Sequence, residues 1–529
     1  VASAAAASPN GAKVGPALSD YAPRSVIEYG RRRALITLAI VTATLLEIVD
    51  TTIVNVALPN IEGNFGATVD QAAWIGTGYI IANVIVIPIT PWLQQRFGRR
   101  QYYAASIAIF TIASMMCGLS GSLEELVFWR IIQGIGGGGL ISTSQAILRE
   151  TYPNNEQGKA AGLFAMGVIV GPTVGPTLGG FITDQFSWRW AFFINLVPGI
   201  IALTIVLLML RNPTRPQKLS IDAIGLGLLA LGIGSLQYVL DQGQQKDWFG
   251  DESITVCSAL AAVGLAAFLA WEWRERKPIV NLGVLRYRSV AMGSLLGVAL
   301  GISLYGSVLI LPQYVQSSLG FTATLSGELL VFRAGAVMLV TPLAAALSSR
   351  GVVDSRWFVF CGFTLIGISN FMLANVTTTD SSFWTFFWPL AISGLGLAQI
   401  FVPLTVSVLG SVEPRDIPAA SAMFNLARQM GGSIAIAVLV TILARQNATH
   451  HSELASRVVL SRGAISQYVA GHGGQQSARA RGDLNMLVNQ QAAVLSYADT
   501  ARFVAIVSLV LAPIAFVLKR PKPMMAAAE

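Results

Sequence analysis

The chain has 529 residues, 53% of them hydrophobic and only 12% charged, with Lys and Arg outnumbering Asp and Glu by 35 to 27; its mean hydropathy is +0.61. Soluble globular domains carry about 25% charged residues, so this chain lacks the polar surface that water requires. A disordered chain, a nucleic-acid factor and an ordinary cytosolic enzyme are excluded, which leaves an all-α polytopic membrane protein.

A bilayer core about 30 Å thick takes about 20 apolar residues per helix, and fourteen stretches of that kind follow one another. The tail 1–33 is rich in Ala, Ser, Pro and Gly, reads as mobile, and has no apolar core of a signal peptide. Spans are then expected near 35–58, 73–93, 102–120, 124–147, 160–183 and 190–210. Two follow near 222–240 and 254–273, and six near 289–312, 323–347, 357–375, 384–409, 418–444 and 501–518, before a second tail at 519–529. Between the last two spans, residues 445–500 are polar, with Gly471-His472-Gly473-Gly474 at the centre and helix-compatible stretches on both sides. A loop of that length without structure of its own is unusual. It reads as a solvated outer hairpin or as a docking surface for another protein.

Lys and Arg resist translocation, so their placement orients the spans. With the amino terminus in the cytoplasm, 24 of the 35 basic residues fall on the inner side, two in short outer loops, six in the long outer segment and three inside spans. Both termini are therefore expected in the cytoplasm. Trp74, Trp92, Trp188, Trp190, Trp248, Trp271, Trp273 and Trp357 fall near proposed span ends, where amphipathic rings favour the interface. Cys117, Cys257 and Cys361 lie in apolar stretches, and His450, His451 and His472 lie in one segment, so no disulfide framework, metal site or cofactor is expected. No Walker motif and no plausible nucleophile–base pair occurs, which argues against an ATP motor and against an enzyme.

Charges inside spans are costly and mark functional sites. Glu47 and Asp50 lie three apart in the first span, about 60° around a helix and on one side of it. Neighbouring carboxylates repel, and burial favours the neutral acid, so one of them could bind and release a proton. The competing reading is a structural ion pair between Asp50 and Arg130 of the fourth span. Glu328 and Arg333 of the tenth span are five apart, about 140° around the helix, and are not expected to pair. Arg333 is expected to face a central cavity and meet an anionic group, while Glu328 lies toward the outer end. In Asn425-Leu-Ala-Arg428-Gln429, nearer the inner half, packing or gating is as open as substrate contact. Asn55 and Gln133 complete the polar candidates for the cavity.

Two spans are unusually rich in glycine. The fifth carries Gly167, Gly171, Gly175, Gly179 and Gly180 with Pro172 and Pro176. That makes a stripe of small residues for close helix approach, with two proline bends. The fourth reads Arg130-Ile-Ile-Gln133-Gly134-Ile-Gly136-Gly-Gly-Gly139. It lies in a hydrophobic helix with no preceding strand, so a nucleotide loop is excluded.

Several of these segments together carry a family pattern. Leu46-Glu-Ile-Val-Asp50-Thr-Thr-Ile-Val-Asn55-Val-Ala-Leu-Pro59 resembles the opening motif of fourteen-span drug:proton antiporters of the major facilitator superfamily. Pro91-Trp-Leu-Gln-Gln-Arg96-Phe-Gly98-Arg99-Arg100 resembles the superfamily's loop motif between helices two and three. The run from Arg130 to Gly134 is similar to its helix-four motif, whose Arg is associated with proton coupling. The run from Gly167 to Gly180 resembles the antiporter motif of helix five, and Trp188-Arg-Trp-Ala-Phe-Phe-Ile-Asn195-Leu-Val-Pro198-Gly199 the segment after it. Ile221-Asp222-Ala-Ile-Gly225, Asp247-Trp248-Phe249 and His450-His451 resemble most the EmrB-type multidrug exporters. Three positions depart from the pattern: Gln95 stands where an acid is usual, Pro91 where Gly is usual, and Glu47 where Gln or another polar residue is usual.

The resemblance implies the major facilitator fold in a 6 + 2 + 6 arrangement. Six-helix bundles over 34–211 and 289–518 would flank two inserted helices within 212–288, and Ala160-Ala-Gly-Leu-Phe164 is echoed by Ala420-Ser-Ala-Met-Phe424. The bundles would rock about a site near the midplane. The implied function is a proton-driven antiporter of the bacterial inner membrane that exports hydrophobic, cationic or amphipathic drugs. Asp50, Glu47 and Arg130 would couple the proton. The implied partners are an EmrA-type periplasmic adaptor and a TolC-type outer-membrane channel. A dedicated exporter of one metabolite or fatty acid, and a transporter-like receptor, are the alternatives.

Overall fold

Inside a bilayer every backbone amide must find its partner within the protein, so a polytopic chain is built from helices or a closed barrel. Helices are the only regular elements among the described residues. The computed structural model describes residues 27–518 apart from 154–155, 213–215, 218, 276–277, 350–353, 459–466 and 468–477. Most of the first expected tail, the second tail and the Gly471-His472-Gly473-Gly474 run lie outside the described residues.

The first bundle opens with α1 (Gly30–Phe65), which closes on Gly66 at φ 63°, a left-handed position that suits glycine. α2 (Val69–Phe97) starts from a Thr68–Gln71 capping box, and α3 (Arg99–Leu119) follows directly after Gly98. The expected span 124–147 is two helices, α4 (Leu123–Gly137) and α5 (Leu140–Thr151), separated by Gly138 and Gly139. Contact with the neighbours explains the glycines. A Cβ on Gly138 would stand 2.6 Å from the Asn83 carbonyl oxygen of α2, and one on Gly139 2.7 Å from Cζ of Tyr102 on α3. α6 (Gln157–Gln185) bends by 42° between the part ending at Pro172 and the part beginning at Val174. α7 (Trp190–Phe193) and α8 (Leu196–Met209) complete this bundle.

α9 (Ala223–Gln242) and α10 (Glu252–Glu272) form a pair. The second bundle comprises α11 (Arg288–Ser317), α12 (Ala323–Ser349), α13 (Ser355–Val376), α14 (Phe387–Leu409), α15 (Ile417–Arg457) and α16 (Ala478–Leu511). Among the described residues eleven helices are long and apolar enough to cross a membrane, twelve with the two halves of α6 joined. Of the fourteen expected spans, the one at 124–147 is split between α4 and α5, neither of which reaches that length alone, while α11 runs for 30 residues.

Both bundles use one packing scheme. α1 lies on α6, α2 and α3 on α4, and α3 on α8; likewise α11 lies on α15, α12 and α13 on α14, and α13 on α16. Single residues repeat it. A Cβ on Gly134 of α4 would stand 3.0 Å from Ala82 Cβ and 3.2 Å from the Tyr79 carbonyl carbon. One on Gly394 of α14 would stand 2.8 Å from Ala336 Cβ and 3.2 Å from the Arg333 carbonyl carbon. The bundles meet along two equivalent seams, α2 against α15 and α6 against α12. α9 and α10 cross where Gly232 meets Gly264, and α9 lies on α2 and α15. Thr77 of α2 donates to Asp241 of α9, and the Trp248 indole donates to Thr441 of α15 at 3.2 Å. The pair is thus bonded to both bundles.

Within 445–500, the described parts 445–457 and 478–500 are helical. α15 continues beyond the expected end at 444, and α16 begins well before 501. The two extensions pack together through His450 Nε2 with Asp499 Oδ2 at 2.8 Å and His451 Nε2 with Asn485 Oδ1 at 3.4 Å.

Candidate functional site

A cavity of about 420 Å³ lies between the bundles, walled by α1, α2 and α6 on one side and α11, α12 and α15 on the other. It occupies the middle of the molecule and the half toward the end of α1 and the start of α2. Its polar lining includes Glu47, Asn55, Tyr79, Asn83, Gln313, Ser326 and Gln429. Glu47, expected as a proton-coupling residue, and Asn55, expected in the cavity, both line it.

The two carboxylates of α1 have different surroundings. Asp50 is fully buried and paired. Its Oδ2 accepts from Arg130 Nη1 at 2.5 Å, and its Oδ1 accepts from Gln133 Nε2 at 2.8 Å and Asn195 Nδ2 at 2.9 Å. Arg130 also donates from Nε to the Ile75 carbonyl at 3.1 Å and lies over the Tyr79 ring, 4.2 Å from its centroid. Gln133 therefore belongs to this buried network rather than to the cavity wall. Glu47 lines the cavity, and each of its oxygens has one neutral donor: Asn83 Nδ2 at 3.0 Å and the Ile141 amide at 3.2 Å. Among the described residues no cation stands within ion-pair distance of it.

The remaining expected cavity residues are dispersed, which corrects their grouping. Asn425 belongs to a contact that closes the opposite half of the molecule. Its Nδ2 donates at 2.7 Å to Oε1 of Gln145 on α5, while Gln145 Nε2 donates to Thr405 Oγ1 of α14 at 3.3 Å. Ser421 of α15 adds a bond to the Ser142 carbonyl at 2.9 Å, and the Phe164 and Phe401 rings meet beside it at 6.1 Å. Arg428 is buried on α15 behind the cavity wall. Glu328 is exposed on the outer face of α12, because residues 326, 327 and 330 turn inward there. Arg333 is buried inside the second bundle.

The glycine stripe of α6 bears directly on the carboxylate helix. Cβ atoms on Gly171 and Gly179 would stand 2.6 Å from Ile48 and 2.9 Å from Ile53, and one on Gly175 would overlap Thr52. Gly167 keeps ordinary contact distance from Val41, and Gly180 is buried. Pro176 reaches the cavity, and Pro172 stands at the bend. At the loop motif, Gly98 takes φ 86°, a conformation that favours glycine. Arg99 pairs with Glu150 of α5 and donates from Nε to Gln94 at 3.0 Å. The Arg100 amide donates to Asn212 at 2.8 Å. Glu150 thus supplies an acid to a motif in which Gln95 has none. Arg96, at the end of α2, enters no ion pair among the described residues.

Asn83 and Gln145 were not singled out from the sequence, and Asn195 was named only within the motif after helix five, without a role at Asp50. The available signal was an amide side chain inside an apolar helix, which is weaker than a charge in the same place.

The profile of the Major Facilitator Superfamily matches residues 40–436. The chain belongs to this superfamily. It is 36% identical over 432 residues to the multidrug export protein EmrB of Escherichia coli K12, covering 81% of this chain and 84% of that one. That level of identity places it in the EmrB-type branch. It is 33% identical over 507 residues to the fatty acid resistance protein FarB of Neisseria gonorrhoeae, covering 95% and 98%. Among solved structures, a bacterial homologue of the human drug peptide transporters PepT1 and PepT2 superposes with a TM-score of 0.57 at 14% identity, covering 92% of this chain and 98% of that one. This facilitator chain is accordingly a multi-pass membrane transporter.

Proposed function

We propose that the chain is a proton-driven antiporter that exports hydrophobic, cationic or amphipathic compounds from the cytoplasm by alternating access. The observation that carries this reading is Glu47, a carboxylate in the cavity wall held by two neutral donors and no paired cation. Proton uptake there removes a charge from an apolar cavity, and proton loss restores it, so proton and cationic cargo compete for one place. Asp50, locked to Arg130, holds the first bundle in register around that point. The Gln145 contact closes the cytoplasmic half while the cavity occupies the outer half, which fits one end state of a rocking cycle.

In this reading the protein sits in the bacterial inner membrane with both termini in the cytoplasm. The paired extensions of α15 and α16 face the periplasm, where an EmrA-type adaptor leading to a TolC-type channel would dock in a tripartite pump. The likeness to FarB supports a second reading, a dedicated exporter of fatty acids. Dye efflux from proteoliposomes under an imposed pH gradient tests the proposal. The native chain is expected to drive efflux, and Glu47→Gln to abolish its dependence on the gradient. Equal gradient-driven efflux by the two chains would remove Glu47 from the coupling. Dye binding without efflux by the native chain would leave a transporter-like receptor.

A further inference from the structure

The repeat between the bundles makes an asymmetry visible. Tyr79 of α2 and Arg333 of α12 occupy equivalent places, each under the glycine of the helix that crosses it, Gly134 or Gly394. In the first bundle that place belongs to a complete ion pair, since Tyr79 lies under Arg130, four residues before Gly134, and Arg130 holds Asp50. In the second bundle the residue four before Gly394 is Leu390, which is buried, and the cation has moved to α12 as Arg333. Among the described residues no acid pairs with it. α11 and α14 contain neither Asp nor Glu. The one acid within α12, Glu328, is exposed on the other side of the helix. Asp499 of α16 is engaged with His450 and Arg502.

Arg333 is 2% exposed, and both of its terminal nitrogens, Nη1 and Nη2, are buried without a hydrogen-bond partner among the described residues. An unpaired cation in a membrane interior is costly. Such a group calls for an anion, and no described residue of the fold supplies it. Ser326, Leu330, Arg333 and Val337 form one buried stripe of α12, at spacings of four, three and four, and the first two line the cavity. Ser326 Oγ is likewise buried without a partner. Arg333 therefore stands about one helical turn behind Leu330 of the cavity wall, on the same face as the partnerless Ser326 hydroxyl.

We infer that Arg333 is the receiving point for an anionic headgroup. An amphipathic carboxylate would lay its apolar body in the cavity and set its two oxygens against the planar fork of the guanidinium, the geometry for which Arg is suited. The inference rests on the proposed export reading and assigns the carboxylate of its second class of cargo a receiving residue. Glu47 answers to protons and cations on the first bundle, and Arg333 answers to anions on the second.

Binding of decanoate, decanol and decyltrimethylammonium to the purified chain in lipid nanodiscs at pH 8, with empty nanodiscs as the blank, tests it. The native chain is expected to bind decanoate about tenfold more tightly than decanol, the factor that corresponds to about 1.4 kcal/mol. Arg333→Gln should remove that preference and leave the cation unaffected, and Arg333→Lys should retain part of it. Equal affinity of the native chain for decanoate and decanol would overturn the inference without recourse to any variant. Weakening of all three probes alike by Arg333→Gln would make the residue a structural brace. Because binding needs no gradient, lost efflux with the decanoate preference intact would count against the export reading alone. Efflux without that preference would count against the anion site alone.

Discussion

Asp50 and Glu47 differ in what their replacement leaves behind. Asp50→Asn strips the charge that Arg130 holds and leaves a buried guanidinium facing an amide. Breaking one side of a buried pair costs about 3–5 kcal/mol, so a marked fall in the melting temperature of the purified chain is expected. Glu47→Gln keeps an oxygen for Asn83, sets its amide nitrogen against the Ile141 amide and strands no cation, so its melting temperature should fall by less than that of Asp50→Asn while gradient coupling is lost. A similar fall for both variants would mean that Glu47 is as structural as Asp50. At this scale the charged residues were legible, because a charge in an apolar run stands out whatever the tertiary structure. Their division of labour was not. Spacing places both carboxylates on one side of α1, but only the packed structure separates the one against Arg130 from the one in the cavity wall. The roles of Asn83, Asn195 and Gln145 escaped notice because an amide within a helix can satisfy itself locally.

Helix contacts give two further expectations. Gly175→Ala would press a methyl group into Thr52 on the helix that carries both carboxylates. Overpacking of this kind costs about 1–3 kcal/mol, and export should fall with it. Gly63→Ala meets no neighbour within 4 Å and should be close to silent in the same efflux and melting measurements; equal damage from both would deny the α1–α6 contact its role. Gln145→Ala should loosen the junction of α5, α14 and α15. In a chain whose three native cysteines are replaced by Ser, a Cys at position 142 should then react faster with a thiol reagent than with Gln145 intact, and an unchanged rate would remove Gln145 from the closure. The helices themselves were largely visible as apolar runs of membrane length. The break at Gly138 and Gly139 was not, since its cause lies in Asn83 and Tyr102 on other helices. The helical extensions within 445–500 were suggested only by composition, because helix propensity is a weak prior for polar sequence.

For the molecule as a whole, the two-bundle repeat was audible in the sequence as one short echo, Ala160 to Phe164 against Ala420 to Phe424, and in the structure it runs through equivalent helix pairs. What the sequence could not convey is where the α9–α10 pair rests. It lies on the α2–α15 seam, bonded to α2 through Asp241 and to α15 through Trp248. Among the described residues neither of its helices makes an extended contact with α6 or α12. The inserted pair is therefore a one-sided strap: it ties the bundles together along the α2–α15 seam, and the α6–α12 seam is held by the bundles' own helices alone.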